Sequence, residues 1–378
     1  MLQVTEINEL HELDSLRGSW RSLLRQTPDY SFFQTLEWLE TTWPHYPLPQ
    51  KLRVMLVERD GQPVGIVPFC VRTEARKVGR FRILTYPLND WGTFYGPLGD
   101  EPQAAFRAAM EHVAATTRDW DFVDLRWVDQ AAPEFMSIGE SLRACGYDFI
   151  VRPRMEVRLC RMDAGWDAYV KSRSRNWRQK MRRDTEALEK SGGEVSLLRY
   201  RPAAGAGTER EHDEMYDICA SIAEHSWQSE AESQSTLSSP RVRDLLRQLH
   251  RQAGALGMLD TNILVVGGRP VAFNYNYLAA TRAYGLRSGF DQTAGLENCG
   301  KILIYKMLED AFGRGDAEYS FGPGRQPHKD RFATEMRHAY TFRHYARYAL
   351  RPQLLHLRER VASRLWSEAA IVEKNLVT

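Results

Sequence analysis

The sequence predicts a mixed α/β protein made of two similar units in tandem, on two observations: a hairpin that occurs twice, and the order of the elements around each copy. The first copy, VERDGQPVGIVPF, spans residues 57–69, and the second, LVVGGRPVAFNY, spans 264–275. Each copy contains an apolar strand, a tight glycine turn, the tripeptide x-Pro-Val and a second apolar strand. A chain of 378 residues is long enough for two domains of ordinary size.

The elements of the first half follow from hydrophobic periodicity. They are a strand at 2–7, helices at 8–26 and from Thr35, the hairpin, a strand at 81–86, a loop rich in glycine and aromatic residues, a helix at 102–117 and a strand at 122–128. The predicted order is therefore β, α, α, β, β, β, α, β.

The second half repeats this order. Its elements are a strand at 194–200, helices at 209–224 and 240–252, the hairpin, a strand at 282–290, a polar loop, a helix at 301–315 and a strand at 317–322. Because hairpins and short connections dominate, we expect each unit to form a mixed sheet flanked by helices. The predicted units are 1–165 and 166–350, followed by an amphipathic helix over 351–378.

Composition and missing motifs exclude several classes of protein. Lysine and arginine (51) nearly balance aspartate and glutamate (49), so no DNA partner is expected. The ten histidines and five scattered cysteines form no metal-ligand pattern, so no metal and no disulfide is expected. Walker, Rossmann and Gly-x-Ser-x-Gly fingerprints are missing too. Without a secretory signal or a run of about 18 apolar residues, the chain is expected to be cytoplasmic.

Six segments carry a resemblance to a known family. They are FFQTLEWLETTW (32–43), DGQPVGIVPF (60–69), SRSRNWRQKMRR (172–183), HSWQ (225–228), GGRPVAFNYNYL (267–278) and YSFGPGRQPHKDRF (319–332). Together they resemble the GNAT superfamily of N-acyltransferases in the tandem form of the Fem-type aminoacyltransferases. The chain looks most like the FemAB-like, cellulose-biosynthesis-type (BioF2-like) acetyltransferases. The resemblance implies two tandem GNAT-like domains, one of which binds an acyl donor, and a cleft between them that receives the acceptor amine.

The resemblance also implies a place for the donor, acyl-coenzyme A. In GNAT units the pyrophosphate rests on backbone N–H groups where the helix after the fourth strand begins, because the positive end of the helix dipole attracts an anion. In the second unit this place is QTAGLENCGKIL (292–303), which assigns donor binding to Gln292, Gly295, Gly300 and Lys301. The usual Gln/Arg-x-x-Gly-x-Gly/Ala pattern is only half present here. A glycine loop that merely caps a helix is the alternative.

Two residues are candidates for catalysis. Lys329 follows the Gly-Pro-Gly turn, where a cation is placed to stabilise an oxyanion or a donor phosphate. Asp291, just after the strand 282–290, is the candidate to accept a proton from the acceptor ammonium. Arg287 on that strand is expected to orient Asp291 or to pair with it. For Lys329 the alternative is a surface lysine beside Asp330.

Aromatic residues are the candidates for binding the acceptor. Asp90, Trp91 and Tyr95 belong to the aromatic loop of the first unit and suit a sugar or a ring. Trp227, in the HSWQ segment, is expected to complete the cleft. An ordinary aromatic loop and a packed tryptophan are the alternatives.

Two basic segments suggest anionic partners. In the stretch 171–183, Arg175 and Arg178 lie on one helical face and suit the phosphates of coenzyme A, a nucleotide sugar, a lipid carrier or tRNA. A solvated basic face is the alternative. The amphipathic helix after Pro352 either packs on the second unit or docks on an anionic membrane surface. Its apolar side would consist of Leu354, Leu357, Val361, Leu365 and Trp366.

The functional hypothesis is an acyltransferase that moves groups other than aminoacyl groups. A substrate amine, on an amino sugar or an amino acid, would attack acyl-coenzyme A directly, in the synthesis of envelope polysaccharide or cell wall. Two alternatives stay open. One is an aminoacyl-tRNA-dependent Fem-type enzyme, the only case in which tRNA is a partner. The other is a non-catalytic tandem module, in which Lys329→Ala and Asp291→Ala leave cellular function intact.

Overall fold

The structure is a computed structural model that describes residues 2–76, 78–88, 92–226, 237–324, 326–347 and 349–359. Within these residues twelve strands form one continuous sheet. They are β1 Leu2–Ile7, β2 Gln50–Arg59, β3 Gln62–Arg76, β4 Gly79–Thr85, β5 Phe122–Asp129, β6 Ile150–Arg161, β7 Val195–Tyr200, β8 Leu259–Val266, β9 Arg269–Ala279, β10 Arg282–Phe290, β11 Glu318–Pro323 and β12 Glu335–Tyr345.

Eleven α-helices accompany the sheet within the described residues. They are α1 Arg17–Gln26, α2 Leu36–Thr42, α3 Pro102–Ala115, α4 Phe135–Ala144, α5 Trp166–Ser172, α6 Arg175–Gly192, α7 Glu209–Glu224, α8 Arg243–Ala255, α9 Cys299–Gly313, α10 Pro327–Asp330 and α11 at 350–359.

The two halves of the sheet repeat one topology. The strand order is β1-β2-β3-β4-β5-β12-β6-β11-β10-β9-β8-β7. From the outer edge of the sheet inward, each half has three antiparallel strand pairs followed by one parallel pair. The parallel pair is β4 with β5 in the first half and β10 with β11 in the second. The predicted mixed α/β fold with a repeated unit is therefore confirmed.

The repeated hairpins agree in detail. They turn at Asp60-Gly61 and at Gly267-Gly268, with φ of 52° and 75° in the first and 55° and 81° in the second. Two consecutive positive φ angles are the geometry of a type I′ turn, whose twist matches that of the flanking strands. Both hairpins also carry a bulge at the same point, after Val57 in β2 and after Leu264 in β8. A shared irregularity of this kind supports duplication more strongly than shared strands do.

The last strand of each half is exchanged. β6 follows β5 through α4 but pairs with β11 of the other half, and β12 follows β11 but pairs with β5. At the centre of the sheet β6 and β12 pair antiparallel with each other. This exchange was not predicted. Each predicted unit, 1–165 and 166–350, ends with a strand that completes the sheet of the other unit.

Matched ion pairs hold the exchanged strands in register. On one side Arg343 of β12 donates to Asp124 of β5, at 2.8 and 3.1 Å, and these residues are direct cross-strand partners. On the other side Arg161 of β6 donates to its cross-strand partner Glu318 of β11 at 3.1 Å. Both carboxylates are buried. Asp124 also pairs with Arg126 and Glu318 with Arg337, so the exchanged strand supplies part of the charge that compensates each buried acid.

An aromatic cluster also joins the halves. Phe32 packs against Tyr277 with ring centroids 4.4 Å apart, and both side chains are buried. The hydroxyl of Tyr284 donates to the carbonyl oxygen of Asp29 at 3.1 Å. The apolar core therefore continues from one half into the other.

The described part of the predicted C-terminal helix is α11, where Leu355 is buried while Leu354 and Leu357 are 62% and 60% exposed. The other predicted apolar residues, Val361, Leu365 and Trp366, lie outside the described residues, so docking on a membrane stays a prediction. No helix in the described part of the chain has the length and apolarity needed to cross a bilayer. All five cysteines are free thiols.

Candidate active site

A cleft opens in the second half where β10 and β11 part. The two strands pair in parallel only over Arg282–Tyr284 and Glu318–Ser320. Beyond these residues β10 stays paired with β9, across a bulge between Gly285 and Arg287, and β11 stays paired with β6. The resulting cleft has a volume of about 730 Å³ and is lined by residues between 273 and 332. It therefore lies within the second half, the unit to which the sequence assigned the donor, while the acceptor cleft between the units stays a prediction.

Two glycines allow the strands to approach closely just before they part. A Cβ on Gly285 would lie 2.7 Å from the carbonyl oxygen of Ser320 and 2.7 Å from the hydroxyl of Tyr319. A Cβ on Gly322, whose φ is +72°, would lie 2.7 Å from the carbonyl oxygen of Gly285. Both positions therefore require glycine, for close approach and, at Gly322, for the positive φ.

The first turn of α9 faces the cleft. Asn298 precedes the helix with φ of +62°, and its side chain does not cap the helix. Cys299, Gly300 and Lys301 line the cleft, and a Cβ on Gly300 would meet only the ring of Phe290, at 3.5 Å. The backbone N–H groups at this positive helix end are suited to an anion. Gly300 and Lys301 thus lie where the sequence placed them.

The side chain of Lys301 is held by the basic helix. Its Nζ pairs with the carboxylate of Asp184 on α6 and donates to Asn298 Oδ1 at 3.0 Å. Lys180, one turn earlier on α6, pairs with the same carboxylate at 3.5 Å. Asp184 therefore ties α6 to the start of α9 and brings the basic stretch to the edge of the cleft.

Lys329 lies buried at the cleft, with 7% of its surface exposed. Its Nζ donates to the carbonyl oxygens of Gly322 at 3.3 Å and Pro323 at 2.8 Å. Desolvation, together with the positive charges of Arg158 and Arg287, lowers the pKa of Lys329 to about 8. The predicted cation is therefore at the cleft and not on the open surface, and its catalytic role stays a prediction.

Arg287 lines the same cleft, and desolvation lowers the pKa of its guanidinium to about 10. Asp291 lies outside the cleft lining. Its carboxylate accepts hydrogen bonds from the N–H and hydroxyl of Thr293, at 2.8 and 2.5 Å, and pairs with Arg269 at 2.5 Å. Although burial opposes them, these donors lower the pKa of Asp291. The geometry therefore gives Asp291 a capping role and does not support the predicted role as a base.

The remaining predicted residues lie away from the cleft. Gln292 and Gly295 are exposed in the short turn between β10 and α9. Arg175 and Arg178 are exposed on α6, where Arg178 donates to the carbonyl oxygens of Lys171 and Arg173 at 3.0 Å. Tyr95 is buried in the first half.

Three predicted acceptor residues, Asp90, Trp91 and Trp227, lie outside the described residues.

A polar network beneath the cleft was not predicted. The hydroxyl of Tyr319 donates to Oδ1 of Asn274 at 2.9 Å and to Oδ1 of Asn276 at 3.2 Å. Asn276 in turn donates from Nδ2 to Asp260 at 3.1 Å. Asp260 is fully buried, and Arg199 donates to its carboxylate at 2.8 Å. The carboxylate accepts only, so Nδ2 of Asn276 faces Asp260, and the single hydroxyl proton of Tyr319 has the two amide oxygens as alternative acceptors.

The network leaves one donor for a ligand. Because Oδ1 of Asn274 faces Tyr319, its Nδ2 points away from Tyr319, and Asn274 and Tyr319 both line the cleft. A carbonyl oxygen of a bound molecule is a suitable acceptor for this N–H. The sequence signal was the alternation of β9, which places Asn274 and Asn276 on one face of a buried strand.

We expect Asn274→Ala to weaken donor binding roughly 3- to 10-fold, the worth of one hydrogen bond. Tyr319 keeps a partner in Asn276, so the fold is expected to persist. Titration calorimetry with coenzyme A measures the effect. Asn262→Ala is the matched control, since Asn262 also donates to Asp260 but does not line the cleft. Equal affinity of the wild type and Asn274→Ala for coenzyme A would show that the Asn274 amide does not contact the donor.

The cleft residues suit coenzyme A. Gly300 and the N–H groups at the start of α9 would hold phosphate, while Asn274 and the two close glycines would border the thioester end. Bound acyl-coenzyme A would supply the activated acyl group as a thioester. Among the described residues, no group of three His, Cys, Asp or Glu side chains is arranged to hold a metal ion.

One part of the chain is similar to a known family of acyltransferase domains. Residues 175–330 match the model of the family described as "Acetyltransferase (GNAT) domain". The match runs from α6 to α10 and includes every cleft-lining residue except Phe332. GNAT domains use acyl-coenzyme A, so the match supports an acyltransferase activity.

Solved structures share the fold over nearly the whole chain. FemX is 12% identical with a TM-score of 0.58, covering 94% of this chain and 99% of its own. The C-terminal domain of a putative lysylphosphatidylglycerol synthetase from Agrobacterium fabrum is 11% identical with a TM-score of 0.56, covering 92% and 95%. L-PGS from Bacillus licheniformis is 11% identical with a TM-score of 0.55, covering 91% and 96%. At such identities the likeness concerns the fold alone. No curated protein sequence matches the chain.

Proposed function

We propose that the protein is an N-acyltransferase that transfers an acyl group from acyl-coenzyme A to an amine, by direct attack and without a covalent enzyme intermediate. The observation that carries the proposal is the cleft between β10 and β11, into which α9 points its N-terminus. Envelope polysaccharide or cell-wall synthesis is the proposed setting, and residues 166–350 are the proposed donor-binding unit.

Lys329, Arg287 and Asn274 supply the polar groups of the proposed site. Lys329 would provide positive charge beside the carbonyl that gains negative charge during the attack. Arg287 adds a second cation to the same cleft, and Asn274 offers a fixed N–H. A preorganised donor set in a partly buried cleft stabilises developing charge more strongly than water does.

One observation favours a second candidate, an aminoacyl-tRNA-dependent transferase. The exposed arginines of α6 do not line the cleft, but they lie on the helix whose Asp184 pairs with Lys301 at the start of α9. Exposed arginines beside a reaction site suit the phosphates of tRNA as well as those of coenzyme A. Fem-type and lysylphosphatidylglycerol synthetase structures also share the fold.

Calorimetry with coenzyme A, acetyl-coenzyme A and palmitoyl-coenzyme A separates the candidates. We expect at least one acyl form to bind in the micromolar range. Absence of binding by all three contradicts the proposal. Acyl transfer in a cell extract that is lost after ribonuclease treatment would favour the tRNA-dependent enzyme.

We expect Lys329→Met to lower kcat roughly 100- to 1000-fold, the cost of removing one donor to a developing oxyanion. Because the pKa of Lys329 is about 8, the wild-type rate should fall above pH 8 as the ammonium loses its proton. Lys329→Arg keeps its charge there and should flatten this fall. The measurement is kcat from thiol release between pH 6 and 10.

The matched control is Lys190→Met, which removes an exposed lysine at the end of α6. Its kcat and pH profile should equal those of the wild type. An unchanged kcat in Lys329→Met would show that Lys329 only stabilises the end of β11 through its hydrogen bonds and takes no part in the reaction.

A further inference from the structure

A second cavity lies between the two halves, and we call it the inter-half pocket. Its lining includes Tyr95, Gly96 and Glu134 from the first half and Arg282, Tyr284 and Glu318 from the second. Its volume is about 40 Å³. A water-sized group needs about 10–15 Å³, so the pocket has room for roughly three such groups.

Glu134 is the acid of this pocket that lacks a partner. Its side chain is 6% exposed, and within the described part of the chain no other residue bonds to or pairs with its carboxylate. Burial raises the pKa of Glu134 to about 7. The other charges pair among themselves: Arg282 with Asp29, and Arg337 with Asp129 and Glu318. A buried carboxyl left over from such pairing is suited to a cation that arrives with a ligand.

The wall beside Glu134 is built to leave room. A Cβ on Gly96 would lie 2.4 Å from Oε1 of Glu134, so glycine keeps this space open. Phe94 and Trp127 hold the wall in unfavourable backbone conformations, with φ of 54° and 63°. The N–H of Tyr95 donates to the carbonyl oxygen of Trp127 at 2.9 Å, which joins the two strained residues. Strain in bulky residues is typical of functional sites.

The pocket and the cleft adjoin at one point of the sheet. On β10 Tyr284 lines the pocket and the next residue, Gly285, lines the cleft. On β11 Glu318 lines the pocket and the next residue, Tyr319, lines the cleft. Consecutive strand residues face opposite sides of a sheet, so the cavities lie back to back here. Because of the bulge in β10, Arg287 is the next residue after Tyr284 on the same face of the sheet, and Arg287 lines the cleft.

We infer that the inter-half pocket binds a primary ammonium group of the acceptor, with Glu134 as its counter-charge. The inference rests on the proposed function, because the acceptor is the amine of that reaction. The small volume and the carboxyl favour an ammonium with a short stem over a ring or an anion.

The position of the pocket narrows the class of acceptor. Gly322, whose carbonyl oxygen bonds to Lys329, lies four residues beyond Glu318 on β11, or roughly 13 Å at 3.3 Å per residue. Because Glu318 lines the same pocket as Glu134, a nitrogen held in this pocket is too far from Lys329 to be the one that is acylated. The acceptor is then a molecule with two amino groups, one anchored and one reacting.

The kinetic test compares α,ω-diamines of four to ten carbons with the matching monoamines, using acetyl-coenzyme A and thiol release. We expect the best diamine to exceed its monoamine at least tenfold in kcat/KM for the wild type. Glu134→Gln should abolish this preference through KM while kcat is kept. Glu140→Gln, the same change at an exposed position of α4, should retain it. A preference that survives in Glu134→Gln overturns the inference.

A binding test examines the inter-half pocket without requiring acyl transfer. Propylammonium chloride should raise the melting temperature of the wild type and of Glu140→Gln but not of Glu134→Gln, and tetramethylammonium should raise none. Glu134→Gln itself should melt no lower than the wild type, since a neutral amide replaces an unpaired buried carboxyl. A sharply lower melting temperature would make Glu134 structural and overturn the inference.

The two proposals fail separately. If coenzyme A binds but propylammonium stabilises all three proteins equally, the pocket is wrong and the acyltransferase stands. If propylammonium binding depends on Glu134 but no acyl-coenzyme A binds, the donor proposal is wrong and the cation site stands.

Discussion

Residues 1–165 and 166–378, produced separately, are expected not to fold. In each fragment the last strand has lost its partner, since β6 pairs with β11 and β12 pairs with β5. Asp124 would keep Arg126 but lose Arg343, and Glu318 would keep Arg337 but lose Arg161, although both carboxylates are buried. Each fragment would therefore lose part of the charge that compensates a buried acid, in addition to the backbone pairing of its last strand. Circular dichroism and amide hydrogen exchange measure the outcome.

Co-expression of the two fragments is the control. The break falls between β6 and α5, outside every strand, so the pair is expected to assemble into the native sheet. A folded monomeric fragment 1–165, with β6 placed beside β5, would contradict the expectation.

Gly285→Ala is expected to weaken acyl-coenzyme A binding by more than about 100-fold, or 2.8 kcal/mol at 1.4 kcal/mol per decade. The new Cβ would lie 2.7 Å from backbone oxygen on β11 and from the hydroxyl of Tyr319. The strands would have to separate, and Tyr319 would no longer orient Asn274. Crowding of this kind also costs about 1–3 kcal/mol of stability. Calorimetry and urea unfolding measure the two effects.

Gly313→Ala is the matched control, because a Cβ at Gly313 meets nothing within 4 Å and φ there is not positive. In a helix the change should leave donor binding as it is and raise stability by up to about 1 kcal/mol. Equal binding by Gly285→Ala and the wild type would show that the strands can part further without loss.

Local sequence pattern was enough to predict most of the fold. The hairpins were recognisable because Gly61 and Gly268 are needed for the positive φ of their turns. The exchange of β6 and β12 was not predictable in this way. Both strands have ordinary alternation, and their partners are chosen by charges far away in the sequence, such as Arg343 and Asp124.

The site was predicted in part for a similar reason. Gly300, Lys301, Arg287 and Lys329 follow a recognisable motif, and all four line the cleft. For Asp291 the proton-accepting role stays a prediction, because its position after a strand says nothing about the donors that surround its carboxylate. Glu134 gave no signal at all, since the absence of a partner is a property of packing and not of sequence.

The pairing of β6 with β12 has a consequence for motion. The backbone hydrogen bonds between β6 and β12, with one irregularity between Ala339 and Tyr340, tie one half to the other. Separation of the halves to admit a ligand would break this pairing. Ligand entry should therefore depend on movements within one half and not on a change in the angle between the halves.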